Sequence, residues 1–236
     1  MVTLKDKVVV ITGANGGMGV EVCKLLAEEG VKFALCSNDA LGLATLAESL
    51  RSQGLVVLAG TFDICDELQV QAFMEQSVKT YGQLDYLLNL AGLSIPGKIW
   101  DTPENDYDLN MDVNVKGTFL ASKHFAARVD PTAGALIINI GSMASKNPNG
   151  NAPLYCAAKA AVSMLSRAMA IQAKERKVRI TTLNPGGVNT GFWGDRPVAR
   201  EKLMIPSDVA EVIHFVMTRD SRVLMTDIAF ESFNNF

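Results

Sequence analysis

Residues 8–19 read VVVITGANGGMG: an apolar run ending at Thr12, then four glycines within the eight positions Thr12 to Gly19. Successive Val and Ile residues favour a strand, and the stretch MGVEVCKLLAEEG that follows has helical periodicity over about residues 17–29. The glycines therefore occupy a strand-to-helix turn. Such a turn serves either the unusual dihedrals of a tight connection or the approach of a ligand to backbone N–H groups at a helix start, where anions such as phosphates are attracted.

Outward from that turn the same alternation repeats. Short runs rich in Val, Ile and Leu predict strands near residues 7–12, 32–36, 55–60, 84–90, 134–140, 178–184 and 226–230, with helices near 17–29, 40–53, 66–81, 104–128, 153–176 and 207–218. Strands that are apolar throughout suit a parallel sheet covered on both faces. The prediction is an α/β fold, a doubly wound parallel sheet of about seven strands with helices on both faces and ligands at the carboxyl ends of its strands. No linker or charge block divides the 236 residues, so residues 1–236 are read as a single domain.

Composition narrows the function classes. Hydrophobic residues at 48% and charged residues at 20% describe a globular chain with a sizeable core. The net charge of -3, with Lys and Arg scattered, offers no surface for a nucleic-acid backbone. No apolar run approaches a membrane span, and the first residues lack a signal-peptide pattern, so no membrane partner and a cytoplasmic location are expected. Cys23, Cys36, Cys65 and Cys156 stand apart, as do His124 and His214, which argues against a metal or disulfide framework.

The spacing Thr12-Gly13, three residues, Gly17, Met18, Gly19 resembles the TGxxxGxG signature of the short-chain dehydrogenase/reductase family. FDICD, with Asp63 and Ile64, resembles that family's adenine-contacting segment, and NLAG, from Asn89 through Ala91 to Gly92, resembles its NNAG turn with Leu90 replacing the second Asn. NPGGVNT, carrying Pro185, Gly186, Val188 and Thr190, is similar to its PGxVxT segment beside the nicotinamide. The resemblance spans nearly the full chain and implies a Rossmann fold holding a nicotinamide dinucleotide. Ser37 stands where NAD-users of the family carry Asp, Asn38 where NADP-users carry Arg, and Asn15 and Gly16 where some NADP-users carry a basic residue. Ser37 and Asn38 can donate to a phosphate and no carboxylate occupies position 37, which favours NADP(H) over NAD(H), with Asp39 arguing the other way.

Of the tyrosines, only Tyr155 has a lysine four residues on, and Tyr155 and Lys159 share one face of a helix. A phenol titrates near pH ~10 unless a cation favours the phenolate, and Lys159 is expected to supply that charge. Ser142, in the loop after the strand LIINI, lies thirteen residues before Tyr155. The resemblance implies that Ser142 bonds the substrate carbonyl, Tyr155 transfers the proton, Lys159 also holds the nicotinamide ribose, and Asn114 is the helix-bending residue of a proton relay.

Only GFWGDRPVAREKLMI separates Thr190 from Pro206, a short substrate lid near residues 187–206, which points to a small or medium carbonyl or alcohol. Ile95, Trp100, Met143, Phe192 and Trp193 are expected at the substrate end, and Arg196 and Arg200 are candidates to meet a carboxylate. The helices near 104–128 and 153–176, apolar beyond the needs of one sheet face, imply through the resemblance a homotetramer or homodimer. The competing reading is a catalytically silent dinucleotide sensor on the same fold. An epimerase or dehydratase of the extended branch would need a longer chain and a TGxxGxxG loop.

Overall fold

The computed structural model describes residues 2–235. Seven strands, β1 (Val8–Thr12), β2 (Lys32–Ser37), β3 (Val57–Thr61), β4 (Tyr86–Asn89), β5 (Ala135–Ile140), β6 (Val178–Pro185) and β7 (Asp227–Phe230), form one sheet in the order β3-β2-β1-β4-β5-β6-β7, every pairing parallel. The continuous apolar run of β1 has a direct cause. Successive side chains of a strand point to opposite faces, so Val9 and Ile11 enter one core with Phe33, Leu88 and Ile213, while Val8 and Val10 enter the other with Phe73, Leu87 and Phe125.

Helices α1 (Gly17–Glu28) and α7 (Pro206–Met217) contribute to the first core with α2 (Ala40–Ser52); α3 (Glu67–Tyr81), α5 (Gly117–Ala126) and α6 (Pro153–Ala173) contribute to the second. The strand order reverses between β1 and β4, and the glycine turn after β1 lies at that switch point, where doubly wound sheets hold their ligands.

Two expectations are corrected. The region near 104–128 is not one uniform helix: α4 (Glu104–Met111) and α5 are joined by a π-helical turn, Asp112–Lys116, centred on the buried Asn114. The side-chain amide of Asn114 donates to the carbonyls of Asn110 and Leu93, both at 2.9 Å, tying the widened turn to the loop after β4. The helical stretch Pro153–Arg176 is also long and apolar enough to cross a membrane, at mean hydropathy 1.2. Its buried Lys159 and its packing against β6 give it a place in this fold instead.

Candidate active site

The four side chains expected to react come from three elements at the carboxyl end of the sheet. Ser142 follows β5 with extended backbone; its N–H donates to Asn184 Oδ1 at 3.0 Å, and its Oγ accepts from the N–H of Ala144 at 3.1 Å. Tyr155 lies in the first turn of α6, opened by Pro153, and shares a cavity wall with Ser142. Burial pushes the Tyr155 phenol up to about 12, opposed by the Ser142 side chain and the charge of Arg196. The side chain is therefore held as a proton donor.

Lys159, one helical turn on, lies over the Tyr155 ring. Its Nζ donates to the carbonyl of Ile140 at 2.9 Å and lies 5.6 Å from the Tyr155 ring centroid, turned toward Gly92 and Asn114. Burial draws the ammonium down to about 8. Arg196, reaching in from the segment after β6, adds a positive charge that favours the phenolate.

Gly92 is where Lys159 and Asn114 converge: a Cβ there would stand 2.8 Å from Asn114 Oδ1 and 3.3 Å from Lys159 Nζ. Asn114 Oδ1 is buried and accepts no hydrogen bond from the described residues. A buried acceptor beside a buried ammonium is suited to a hydroxylated ligand such as a ribose.

The glycine turn is shaped by close approach. Gly13 has φ +63°, and a Cβ on it would lie 2.8 Å from Ala91 Cα; one on Gly19 would strike the Ala14 carbonyl, and one on Gly17 the side chain of Thr190 at 2.8 Å. Gly16 caps α1 without a side-chain hydrogen bond, leaving the first N–H groups of the helix for an anion. Thr12 Oγ1 accepts the Ala91 N–H at 3.2 Å, so the strand end at the NLAG turn is held although Leu90, packed in the core, replaces the amide. These residues fit a dinucleotide pyrophosphate, and Asn114 with Lys159 fits its nicotinamide ribose.

At the adenosine end Ser37 closes β2 and Asn38 is exposed. The Asp39 carboxylate is engaged: it caps α2 by accepting the Gly42 N–H at 3.1 Å and takes the Asn15 amide at 2.7 Å. Asp63 is exposed just after β3, its Oδ1 accepting from the Cys65 N–H at 2.9 Å, and Ile64 packs on Gly117. Asn89 is buried at the end of β4. Its side chain turns into the core and donates to Ser122 Oγ at 3.0 Å and Asn139 Oδ1 at 2.8 Å, bracing β4 against β5. Only its backbone is left to meet a cofactor.

A cavity of about 330 Å³ opens beside Ser142 and Tyr155, walled by Met18, Pro185, Gly186, Val188 and Thr190 on one part and by Met143, Phe192, Trp193 and Arg196 on another. The Phe192 ring lies 5.6 Å from that of Tyr155, and Trp193 Nε1 donates to the Val188 carbonyl at 2.7 Å. Ile95 and Trp100 do not reach this wall. Ser94 lines it in place of its neighbour Ile95, since adjacent side chains of non-helical chain diverge, and Trp100 is 78% exposed on a short 3-10 turn.

Residues 7–200 match the family described as short chain dehydrogenase. The chain belongs to this family. An uncharacterized oxidoreductase of Staphylococcus saprophyticus is 31% identical over 229 residues, covering 97% of this chain and 98% of the relative. An alcohol dehydrogenase from the archaeon Thermococcus sibiricus, complexed with 5-hydroxy-NADP, superposes with TM-score 0.89 at 26% identity, covering 98% of each chain. A 7 alpha-hydroxysteroid dehydrogenase complexed with NADH and 7-oxo glycochenodeoxycholic acid gives TM-score 0.89 at 26% identity over 96% of this chain and 93% of that one. This short-chain dehydrogenase is thus an oxidoreductase of a family whose structures hold NADP or NADH.

Two residues of the short-chain dehydrogenase escaped the sequence reading. Asn184, fully buried at the end of β6, accepts from the Ser142 N–H and the Ser145 hydroxyl, and its amide donates to Asp227 at 3.1 Å. Glu231, just beyond β7, lines the cavity. Asn184 stands before the PGGVNT segment, and an Asn ending a buried strand is a signal for a side-chain bracket.

Proposed function

We propose that this enzyme interconverts a small or medium carbonyl compound and its alcohol, with Tyr155 as general acid/base and NADP(H) favoured over NAD(H). The observation that carries the reading is that Ser142 and Tyr155 share the wall of a cavity that also meets the Pro185–Thr190 segment. A bound reduced nicotinamide supplies the hydride. Ser142 orients the carbonyl oxygen, the Tyr155 hydroxyl protonates it as charge develops there, and Lys159 and Asn114 hold the ribose edge of the cofactor. Residues 187–206 act as a lid on a single domain spanning 1–236; the bridge between Val188 and Met204 anchors its base, and Phe192 seals the tyrosine from water.

The NADP(H) preference is supported by the engagement of Asp39 in capping α2, which leaves Ser37 and Asn38 facing the ribose without a free carboxylate. Free cysteines suit the cytoplasm. Exposed Tyr107, Leu109, Phe119, Met164 and Ile171 on α4, α5 and α6 support a homodimer or homotetramer, to be read by light scattering.

The test is oxidation of NADPH and of NADH by the purified protein against a panel of small ketones and aldehydes, with both cofactors titrated by nicotinamide fluorescence. Carbonyl-dependent oxidation with tighter NADPH binding is expected. Cofactor binding without turnover of any panel member would make the protein a sensor, and tighter NADH binding would reverse the cofactor assignment.

A further inference from the structure

Two charged side chains on the wall of the cavity have no ionic partner among the described residues. Arg196, in the lid, is fixed in place: its Nε donates to the Trp193 carbonyl at 2.8 Å, an Nη donates to the Phe192 carbonyl, and its guanidinium carbon lies 5.1 Å from the ring centroids of both residues. Those contacts hold the guanidinium without neutralising it, and its remaining N–H groups are unspent. Arg200 is spent differently. It donates to Asn189 Oδ1 and to the carbonyls of Thr190 and Gly194, stapling the lid, and does not line the cavity.

Glu231 reaches the same cavity from the end of β7. It is partly buried, its side chain lies against Gly186, and its carboxylate makes no hydrogen bond or ion pair among the described residues. Arg196 and Glu231 do not pair with each other either, although they share a cavity of about 330 Å³. A neutral substrate would leave both charges half-desolvated and unmatched, and a substrate of one sign would satisfy one and be repelled by the other. A molecule that carries both charges satisfies both.

We propose that the substrate is amphoteric: a small hydroxy or oxo compound bearing a carboxylate, met by Arg196, and an ammonium, met by Glu231, with the reacting carbon between them at Ser142 and Tyr155. This rests on the oxidoreductase reading and adds the chemical class to it. In the reductive direction the carbonyl carbon gains the hydride of the reduced nicotinamide and the oxygen gains the Tyr155 proton. The products are the alcohol, the oxidised nicotinamide and a Tyr155 phenolate that recovers its proton from solvent; alcohol oxidation is the reverse.

The experiment compares kcat/KM at pH 7, with NADP+, for four secondary alcohols of similar size: 4-amino-3-hydroxybutanoate with both charges, 3-hydroxybutanoate, 1-amino-2-propanol, and neutral 2-butanol. The doubly charged alcohol is expected to exceed each of the others at least tenfold. Arg196→Gln is expected to erase the advantage conferred by the carboxylate, and Glu231→Gln that conferred by the ammonium. In parallel, Trp193 fluorescence reads binding of 4-amino-3-hydroxybutanoate to the NADP+ complex, with Trp100→Phe removing the other indole.

Equal turnover of 2-butanol and the doubly charged alcohol would overturn the proposal and leave the oxidoreductase reading standing. Binding that depends on both charges without turnover would do the opposite. If Glu231→Gln alters the KM for NADP+ and leaves the substrate ratios alone, Glu231 serves the nicotinamide and the amphoteric assignment fails.

Discussion

At Gly19 and Gly13 of the glycine turn an added methyl group meets backbone: the Ala14 carbonyl beneath the first, the Ala91 Cα beside the second. Around the far cavity side chains supply the contacts: Phe192 on Tyr155, Arg196 on Phe192 and Trp193, Glu231 against the Gly186 backbone. Backbone cannot retreat without moving a strand or a helix, whereas side chains exchange rotamers and identities at lower cost. The cofactor end is thus fixed by the fold, and the substrate end is a surface laid over it.

The sharpest break in this comparison comes from Gly19→Val. A branched side chain directed at the Ala14 carbonyl should weaken NADPH binding by ~1000-fold or unfold the turn, read together by fluorescence titration and circular dichroism. Near-parental binding would show that the turn is not constrained by backbone. Lys159→Met probes the point where the two ends meet. It should lower kcat by roughly 100-fold, and at pH 7 raise stability by about 1–3 kcal/mol in denaturant melts.

The sign follows from burial, which lowers the folded-state ammonium from 10.5 to about 8. Below pH 8 the charged form opposes folding. That penalty fades between pH 8 and 10.5, so the stability gain of the methionine variant should shrink over the same window. A gain that does not change with pH would mean the ammonium is not the source.

Smaller effects are expected where side chains hold side chains. Asn184→Ala frees the loop that carries Ser142 and should reduce kcat by ~10-fold while leaving cofactor affinity unmoved. If cofactor affinity falls instead, the bracket belongs to the cofactor end. Arg200→Ala loses the lid staple and should raise the substrate KM by about 3-fold, the scale of one partly exposed hydrogen bond. A large change in kcat there would mean that the lid, and not the tyrosine, governs the chemistry.

The same contrast explains what the sequence disclosed. The strands were legible because burial on both faces makes them apolar at every position, and the glycine turn because sterics leave no other residue available there. Ser142, Tyr155 and Lys159 were legible because one strand end and one helix turn fix their spacing. The direction in which Lys159 points was not, since it depends on the Ile140 carbonyl nineteen residues away. Asn184 and Glu231 join the site because β6 lies beside β5 and β7 beside β6 in the sheet, a fact of topology that local periodicity does not contain. The π-turn at Asn114 was hidden by a helical periodicity that continues through it from Glu104 to Ala126.

The most direct test of the central claim is Tyr155→Phe, measured for NADPH binding by fluorescence and for turnover in both directions across pH 6–10. Removing only the hydroxyl should keep the cofactor Kd within about 2-fold and lower kcat/KM for carbonyl reduction by ~1000-fold. In the parent enzyme, with the phenol pushed up to about 12, alcohol oxidation should rise with pH while reduction stays level through neutrality. Turnover by the phenylalanine variant near the parental rate would contradict the account, because the proton would then come from another group.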